Sequence, residues 1–390
     1  MNPSSVFPAI AALLLTYITS FLLVKKFGAP NTQGRFACVD GLRGYLAICV
    51  FLHHSCVWYF YIQTGRWELP ASNLYIHFGQ SAVALFFMIT GFLFFTKIIS
   101  SKTRAIDWCQ LFVSRILRLA PLYFLVVILL CVVVAVLTNG VLTVPLSKLG
   151  RDLIGWLSFT MLGAPDLNGL NRTGIIVAGV TWSLPYEWFF YLTLPLMALT
   201  VGTRPPILYL FISVISIFYF SIWHPSIHYL AFLAGIVTAF LVRSSSFCNF
   251  AASRSATFVA LGCLCCVVAF FPSTYGLAPL GLLAVFFALV ASGNSLFGLL
   301  LSPASRTLGE LAYGIYLLHG ITLFVLFNFV IGLSVAKNMS VVQYWGLILS
   351  VTPIIVLFCF AVFRWFEEPF MRQTPALSRW LRVRLKLSFL

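Results

Sequence analysis

Arg35-Phe36-Ala37-Cys38-Val39-Asp40-Gly41-Leu42-Arg43-Gly44-Tyr45, continuing without a break from Leu46 to Phe60, decides how the rest of the chain is read. The stretch is apolar enough to span a membrane, yet Asp40 and Arg43 sit in its first turns and His53 and His54 in its interior. Ionisable side chains at that depth are costly and are read first as functional candidates. On a helix, the eleven residues from Arg43 to His54 turn the chain through roughly 1100°, about 20° past three full turns, and climb about 16 Å. The two side chains therefore share one face and are expected to line one groove. His53 points about 100° away and is read as structural.

Working outward, hydrophobic residues make up 61% of the 390 positions, charged residues only 8%, and the mean hydropathy is +1.02. A water-exposed surface cannot be assembled from so few charges. Apolar runs of about 20 residues recur along the chain, the pattern of an all-α polytopic membrane protein. The net charge of +15 is spread over short loops and the tail, as expected for positive residues retained on the cytoplasmic side, and not gathered in a basic domain that would bind nucleic acid. Most of the ten cysteines lie in apolar runs (Cys131, Cys263, Cys265, Cys266, Cys359), where Cys packs as a small hydrophobe. No disulfide and no metal site is expected.

About eleven spans are expected, near 5–24, 44–62, 76–98, 119–137, 184–200, 206–222, 227–242, 256–271, 276–292, 311–333 and 342–363. The first is read as a retained span rather than a signal peptide, because it lacks a basic n-region and a small-residue cleavage site. Trp223-His224-Pro225 separates the sixth and seventh. Lys25, Lys26, Arg35, Lys97, Lys102, Arg104, Arg115, Arg118 and the tail residues Arg372, Arg379, Arg382, Arg384 and Lys386 then fall on the cytoplasmic side of a plasma membrane, with the N-terminus outside. This holds only if the region near 150–180 is re-entrant. Its apolar run, 153–162, is too short to cross, and Gly163, Pro165, Gly169 and Gly174 follow it.

Nine acidic residues are few enough to inspect singly. Asp40 precedes Arg43 by three, the spacing of a helical ion pair; it either serves the site or anchors the start of the span. Arg115 and Arg118 stand three apart before Pro121 and Tyr123, where two guanidinium forks either clamp a phosphate or anchor the loop. Glu187 enters the fifth span, and Glu310, Tyr313, Tyr316 and His319 form a polar stripe into the tenth. Glu367-Glu368-Pro369 is read as capping the last span beside Arg364 and Arg372. A cavity holding a histidine, carboxylates and arginines suits acyl transfer from a phosphate-bearing donor to a hydroxyl. A proton-coupled transporter fits the same residues.

Asp40-Gly41-Leu42-Arg43-Gly44 with His54 resembles the membrane acyltransferase-3 family, which includes bacterial O-antigen acetylases and shows an Arg, ten residues, then His in its first core span. Four further stretches are similar in order and spacing: Val83 to Leu93, Arg115 to Pro121, Thr181 to Tyr191, and Leu308 to His319, with Phe366 to Arg372 resembling the closing segment. Ala84, Thr90, Trp188 and Ala312 depart from the family's usual Asp, Ser, Glu and Ser and carry no family role. The resemblance implies that the first span is an extra N-terminal one outside a ten-span core, in a segment over 1–34, followed by an acyltransferase domain over 35–372 and a basic tail over 373–390. It also implies transfer of an acetyl group from acetyl-CoA to a hydroxyl of a surface polysaccharide or its lipid-linked precursor, such as the O-antigen of lipopolysaccharide. By carry-over His54 is the base, grouped with Asp40, Glu187 and Glu310 as catalytic. Arg43, Arg115, Arg118 and Tyr123 would hold the donor, and Trp182, Ser183, Tyr313, Tyr316 and His319 the acceptor. The competing reading is a transporter or flippase for acyl or polyprenyl-linked substrates; the inverted repeats common in transporters are not seen.

Overall fold

A computed structural model of the chain describes residues 2–30, 36–101, 105–223 and 226–384. Arg35, Lys102, Arg104, His224, Pro225 and Lys386 of the sequence reading lie outside the described residues. Among the described residues there are helices and no strands. They run α1 (Val6–Phe27), α2 (Ala37–Thr64), α3 (Asn73–Ser100), α4 (Trp108–Leu137), α5 (Leu146–Leu157), α6 (Ser183–Leu199), α7 (Ile207–Trp223) and α8 (Tyr229–Leu241). Then follow α9 (Ser245–Ala251), α10 (Arg254–Phe270), α11 (Leu277–Ala291), α12 (Pro303–Val325), α13 (Leu333–Lys337), α14 (Val341–Val362), α15 (Glu368–Arg372) and α16 (Thr374–Arg384). The chain is an all-α polytopic membrane protein.

Each of the eleven expected spans coincides with a helix, but the helices differ in length. Six are long and apolar enough to cross a membrane: α1, α2, α3, α4, α12 with its continuation to Val330, and the long run that begins with α14. A seventh is possible if α8 and α9, bent by 109° at their junction, count as one span. The apolar helices α7, α10 and α11 have at most 17 residues, or about 25 Å, less than the hydrocarbon thickness of a bilayer.

The ends of the helices follow from local chemistry. Ser72 and Asp107 cap α3 and α4 by accepting from the amides of Tyr75 and Gln110, and Ser340 forms a reciprocal capping box with Gln343 at α14. Gly65, with φ of 72°, ends α2 in the left-handed conformation that suits glycine.

The core is built on α2 against α12, and their backbones nearly touch. A Cβ on Gly309 would stand 1.9 Å from the Asp40 carbonyl oxygen, and one on Gly44 would stand 2.4 Å from the Leu308 side chain. Small residues that let helices approach closely are the usual device of membrane bundles, where packing replaces the hydrophobic drive. α3 packs on α2 and on α8, α1 on α14 and α12, and α16 on α4, where Arg382 pairs with Asp107 at 3.0 Å.

The 150–180 region does not form a span. α5 buries Asp152, Gly155 and Trp156; Trp156 donates its indole N–H to the Pro165 carbonyl at 2.8 Å, and its own carbonyl accepts from Tyr123 at 2.6 Å. The chain then passes through two 3-10 turns, Thr173–Val177 and Val180–Trp182, lying against α12 so closely that a Cβ on Gly320 would stand 2.3 Å from the Val177 backbone. Irregular backbone is tolerated at such a place because protein surrounds it.

The close approach has a measurable consequence. Gly309→Ala should lower the thermal unfolding midpoint in detergent, with a cost of about 1–3 kcal/mol or more for an overpacked contact. Gly262→Ala in α10, where the added Cβ meets nothing within 4 Å, should not. Equal midpoints for the two variants would contradict the packing account.

Candidate functional site

Two cavities meet inside the bundle. The first, about 860 Å³ including its mouth, is lined by α2, α3, α4, α6 and α12 and holds Arg43, Arg115, Arg118 and Glu187 among apolar walls that include Phe86, Phe87, Leu93 and Phe94. The second, about 570 Å³, is lined by His53, His54, Gln80, Trp182 and Tyr275. Val83 and Tyr316 line both. The Tyr316 hydroxyl is held in this partition by the Val180 carbonyl at 2.9 Å and by Ser183 Oγ at 2.8 Å.

The arginine cavity carries three cations and one acid. Among the described residues no carboxylate forms an ion pair with Arg43, although it stands within a membrane-spanning helix. Arg118 is the anchored member. Its guanidinium lies 3.6 Å from Glu367, donates to the Glu310 carbonyl at 3.4 Å, and covers the rings of Tyr313 and Phe363. Arg115 lies over the Phe94 ring, 5.1 Å from its centre. Glu187 accepts from the Tyr191 hydroxyl one turn along α6. Such a set holds an anion: guanidinium groups give fork-like, charge-assisted bonds to phosphate in a setting where little water competes.

In the histidine cavity, His54 Nδ1 lies 3.1 Å from the Val50 carbonyl and 3.1 Å from His319 Nε2. His53 also lines this cavity, and its Nδ1 bonds the Tyr75 carbonyl at 2.7 Å. Trp67 stacks 6.4 Å from the His54 ring centre. A neutral imidazole so placed can take a proton from a hydroxyl brought into the cavity.

Residues 36–364 match the acyltransferase-3 family, described as an acyltransferase domain. The chain belongs to this family. No curated protein and no solved structure matches it. As a membrane acyltransferase it needs an acyl donor and an acceptor.

Several sequence expectations change at this point. Arg43 and His54 share a helix face, but Val83 and Tyr316 stand between their cavities, so they do not line one groove. Asp40 does not form the expected ion pair with Arg43; it is half-buried and lines neither cavity. Glu187, expected at the outer edge of its span, lies with the arginines, because the irregular segment carries the chain into the bundle before α6 begins. Tyr123 spends its hydroxyl on Trp156 and does not reach the arginine cavity. Glu310 also lies outside both cavities, and its carbonyl accepts from Arg118. Of the residues expected to hold the acceptor, Trp182 lines the histidine cavity, Ser183 and Tyr313 the arginine cavity and Tyr316 both, while His319 is wholly buried behind His54.

Glu367 is the residue that sequence reading misplaced. Glu368 makes the expected exit pairs, 2.9 Å to Arg364 and 2.6 Å to Arg372. Glu367, one position earlier, turns inward and is 1% exposed. Both of its oxygens lack a hydrogen bond, and the Arg118 guanidinium is the cation beside it. Two adjacent acids on a helix point about 100° apart, so one of them had to face the bundle. Gln80, Tyr191 and Tyr275 were not singled out either; only Tyr191 carried a local signal, four residues after Glu187.

Glu367→Gln leaves Arg118 buried without its counter-ion, and removing one partner of a buried pair costs about 3–5 kcal/mol. Thermal unfolding of the purified variant should show a larger fall in midpoint than Glu368→Gln, whose side chain is only partly buried and pairs with exposed arginines. A wild-type midpoint for Glu367→Gln would mean that the pair contributes little.

Proposed function

We propose that the protein transfers an acetyl group from acetyl-CoA, held by the arginine cavity, to a hydroxyl of a surface polysaccharide or its lipid-linked precursor, an O-antigen-type glycan, presented to the histidine cavity. The observation that carries this reading is a cavity with three guanidinium groups and one carboxylate lying beside a histidine cavity, with Val83 and Tyr316 lining both. Arg43, Arg115 and Arg118 suit the phosphates and the polarised thioester oxygen of the donor. Trp182, which lines the histidine cavity, offers a flat face to a sugar ring. The basic loops favour a cytoplasmic arginine side in a plasma membrane, with the N-terminus outside.

The chemistry assigned to these residues is direct transfer. The acceptor O–H gives its proton to His54 as the acceptor oxygen forms a bond to the thioester carbon. The carbon–sulfur bond then breaks, and the coenzyme thiolate leaves and takes up that proton. Arg43 is favoured as the group that steadies charge on the thioester oxygen, because it lines the cavity and no carboxylate of the described residues lies in direct ion-pair contact with it.

Mass spectrometry of surface glycan from cells carrying His54→Ala should find no O-acetyl groups, and retained acetylation would remove His54 as the base. The double change Arg115→Ala with Arg118→Ala should weaken acetyl-CoA binding by about tenfold or more, as expected when charge-assisted bonds are lost. Unchanged affinity would place the donor elsewhere. A transporter, by contrast, would move its substrate without releasing free coenzyme A from acetyl-CoA.

A further inference from the structure

His319 was expected to contact the acceptor. Its position is different: it is 0% exposed and lies at the back of His54, with the two ring centres 5.0 Å apart and the planes tilted by 35°. Its Nδ1 lies 2.9 Å from the Ile315 carbonyl one turn earlier on α12. A carbonyl only accepts, so this nitrogen carries the proton, and Nε2 of the neutral ring is left as an acceptor. That acceptor faces Nδ1 of His54 at 3.1 Å, and the other neighbour of the same nitrogen is the Val50 carbonyl, again an acceptor. The ring also has a backbone hydrogen bond with Ala178, so the two acceptors at Nδ1, the Val50 carbonyl and His319, act together against that one; they place the hydrogen on Nδ1 and leave the lone pair of the neutral His54 ring on Nε2. The tautomers are assigned here from the surrounding acceptors.

We propose that His319 is a positioning residue that fixes the tautomer and orientation of His54, so that Nε2 is the basic atom. The inference rests on the reading of His54 as the base. During transfer, the acceptor hydroxyl gives its proton to His54 Nε2. The Nδ1–H bond to His319 persists, and His319 Nε2 then faces an imidazolium and stabilises it as a neutral acceptor. The Ile315 carbonyl sets the whole relay by choosing the His319 tautomer. This is the logic by which a histidine's free nitrogen is set by the hydrogen bond of the other. The titratable groups facing His54 are His53 on its own helix, His319 and Tyr316 on α12, and Tyr275 from the loop before α11.

The test compares His319→Leu, which keeps bulk and removes the acceptor, with His319→Gln, whose amide can accept from His54 and donate to the Ile315 carbonyl. With purified protein, acetyl-CoA and acceptor glycan, His319→Leu should lower kcat by about 10²-fold, the scale of a lost general-base contribution. KM for acetyl-CoA should be nearly unchanged, and His319→Gln should recover at least part of the rate. A Leu variant with wild-type kcat, or a folded Gln variant no faster than Leu, would overturn the proposal. A second readout does not depend on transfer. Diethyl pyrocarbonate modifies neutral imidazole, so the pH at which His54 becomes reactive, followed by peptide mass spectrometry, should shift in His319→Leu and return toward wild type in His319→Gln. An identical pH profile in all three proteins overturns the dyad. If wild-type protein transfers no acetyl group while the profile shifts as expected, it is the acyl-transfer reading that fails.

Discussion

The backbone contact between α2 and α12 sets the register on which the site depends. Gly44 meets Leu308 and Gly309, and Gly309 meets the Asp40 carbonyl. From that contact, ten residues along each helix lead to His54 on one and to His319 on the other, where the rings meet at 3.1 Å. Helices running the same way with equal rise keep their partners opposite over such a distance. A side chain larger than hydrogen at the glycines would part the helices or slip them. The two histidines would then separate, and α12 would carry Tyr316 out of the partition.

A second constraint is electrostatic. Three guanidinium groups cannot be gathered inside a bundle of apolar helices without compensation. Glu367 supplies part of it to Arg118, aromatic rings cover Arg115 and Arg118, and Glu187 adds one negative charge held by Tyr191. Arg43 is left without an ion partner in the described protein. Charge in excess of its compensation favours a bound anion, and this supports the proposed placement of the donor on the arginine side, with His54 beyond Val83 and Tyr316.

Much of this was legible in the sequence. The apolar runs located every long helix, and the Arg43–His54 spacing, the Arg115–Arg118 pair and the polar stripe to His319 pointed to residues that the fold gathers around two joined cavities. Helical spacing could not show that a tyrosine from α12 would stand between the cavities of Arg43 and His54, because that depends on a partner far away in the sequence. The depth of Glu187 was hidden for a related reason: the chain enters the bundle through irregular turns before α6 begins, and hydropathy does not register such a segment. Nor could periodicity decide which of Glu367 and Glu368 faces inward. That choice was made by the position of Arg118 on α4.

The central claim is that donor and acceptor meet across the Val83–Tyr316 partition. It is tested most directly by a structure of the protein with a thioether analogue of acetyl-CoA, which binds but cannot transfer. The account predicts density for the analogue's phosphates against Arg115 and Arg118 and for its acetyl end beside Arg43 and Tyr316, pointing toward His54. Density lodged in the histidine cavity with the arginines empty, or on the outer wall of the bundle, would contradict it.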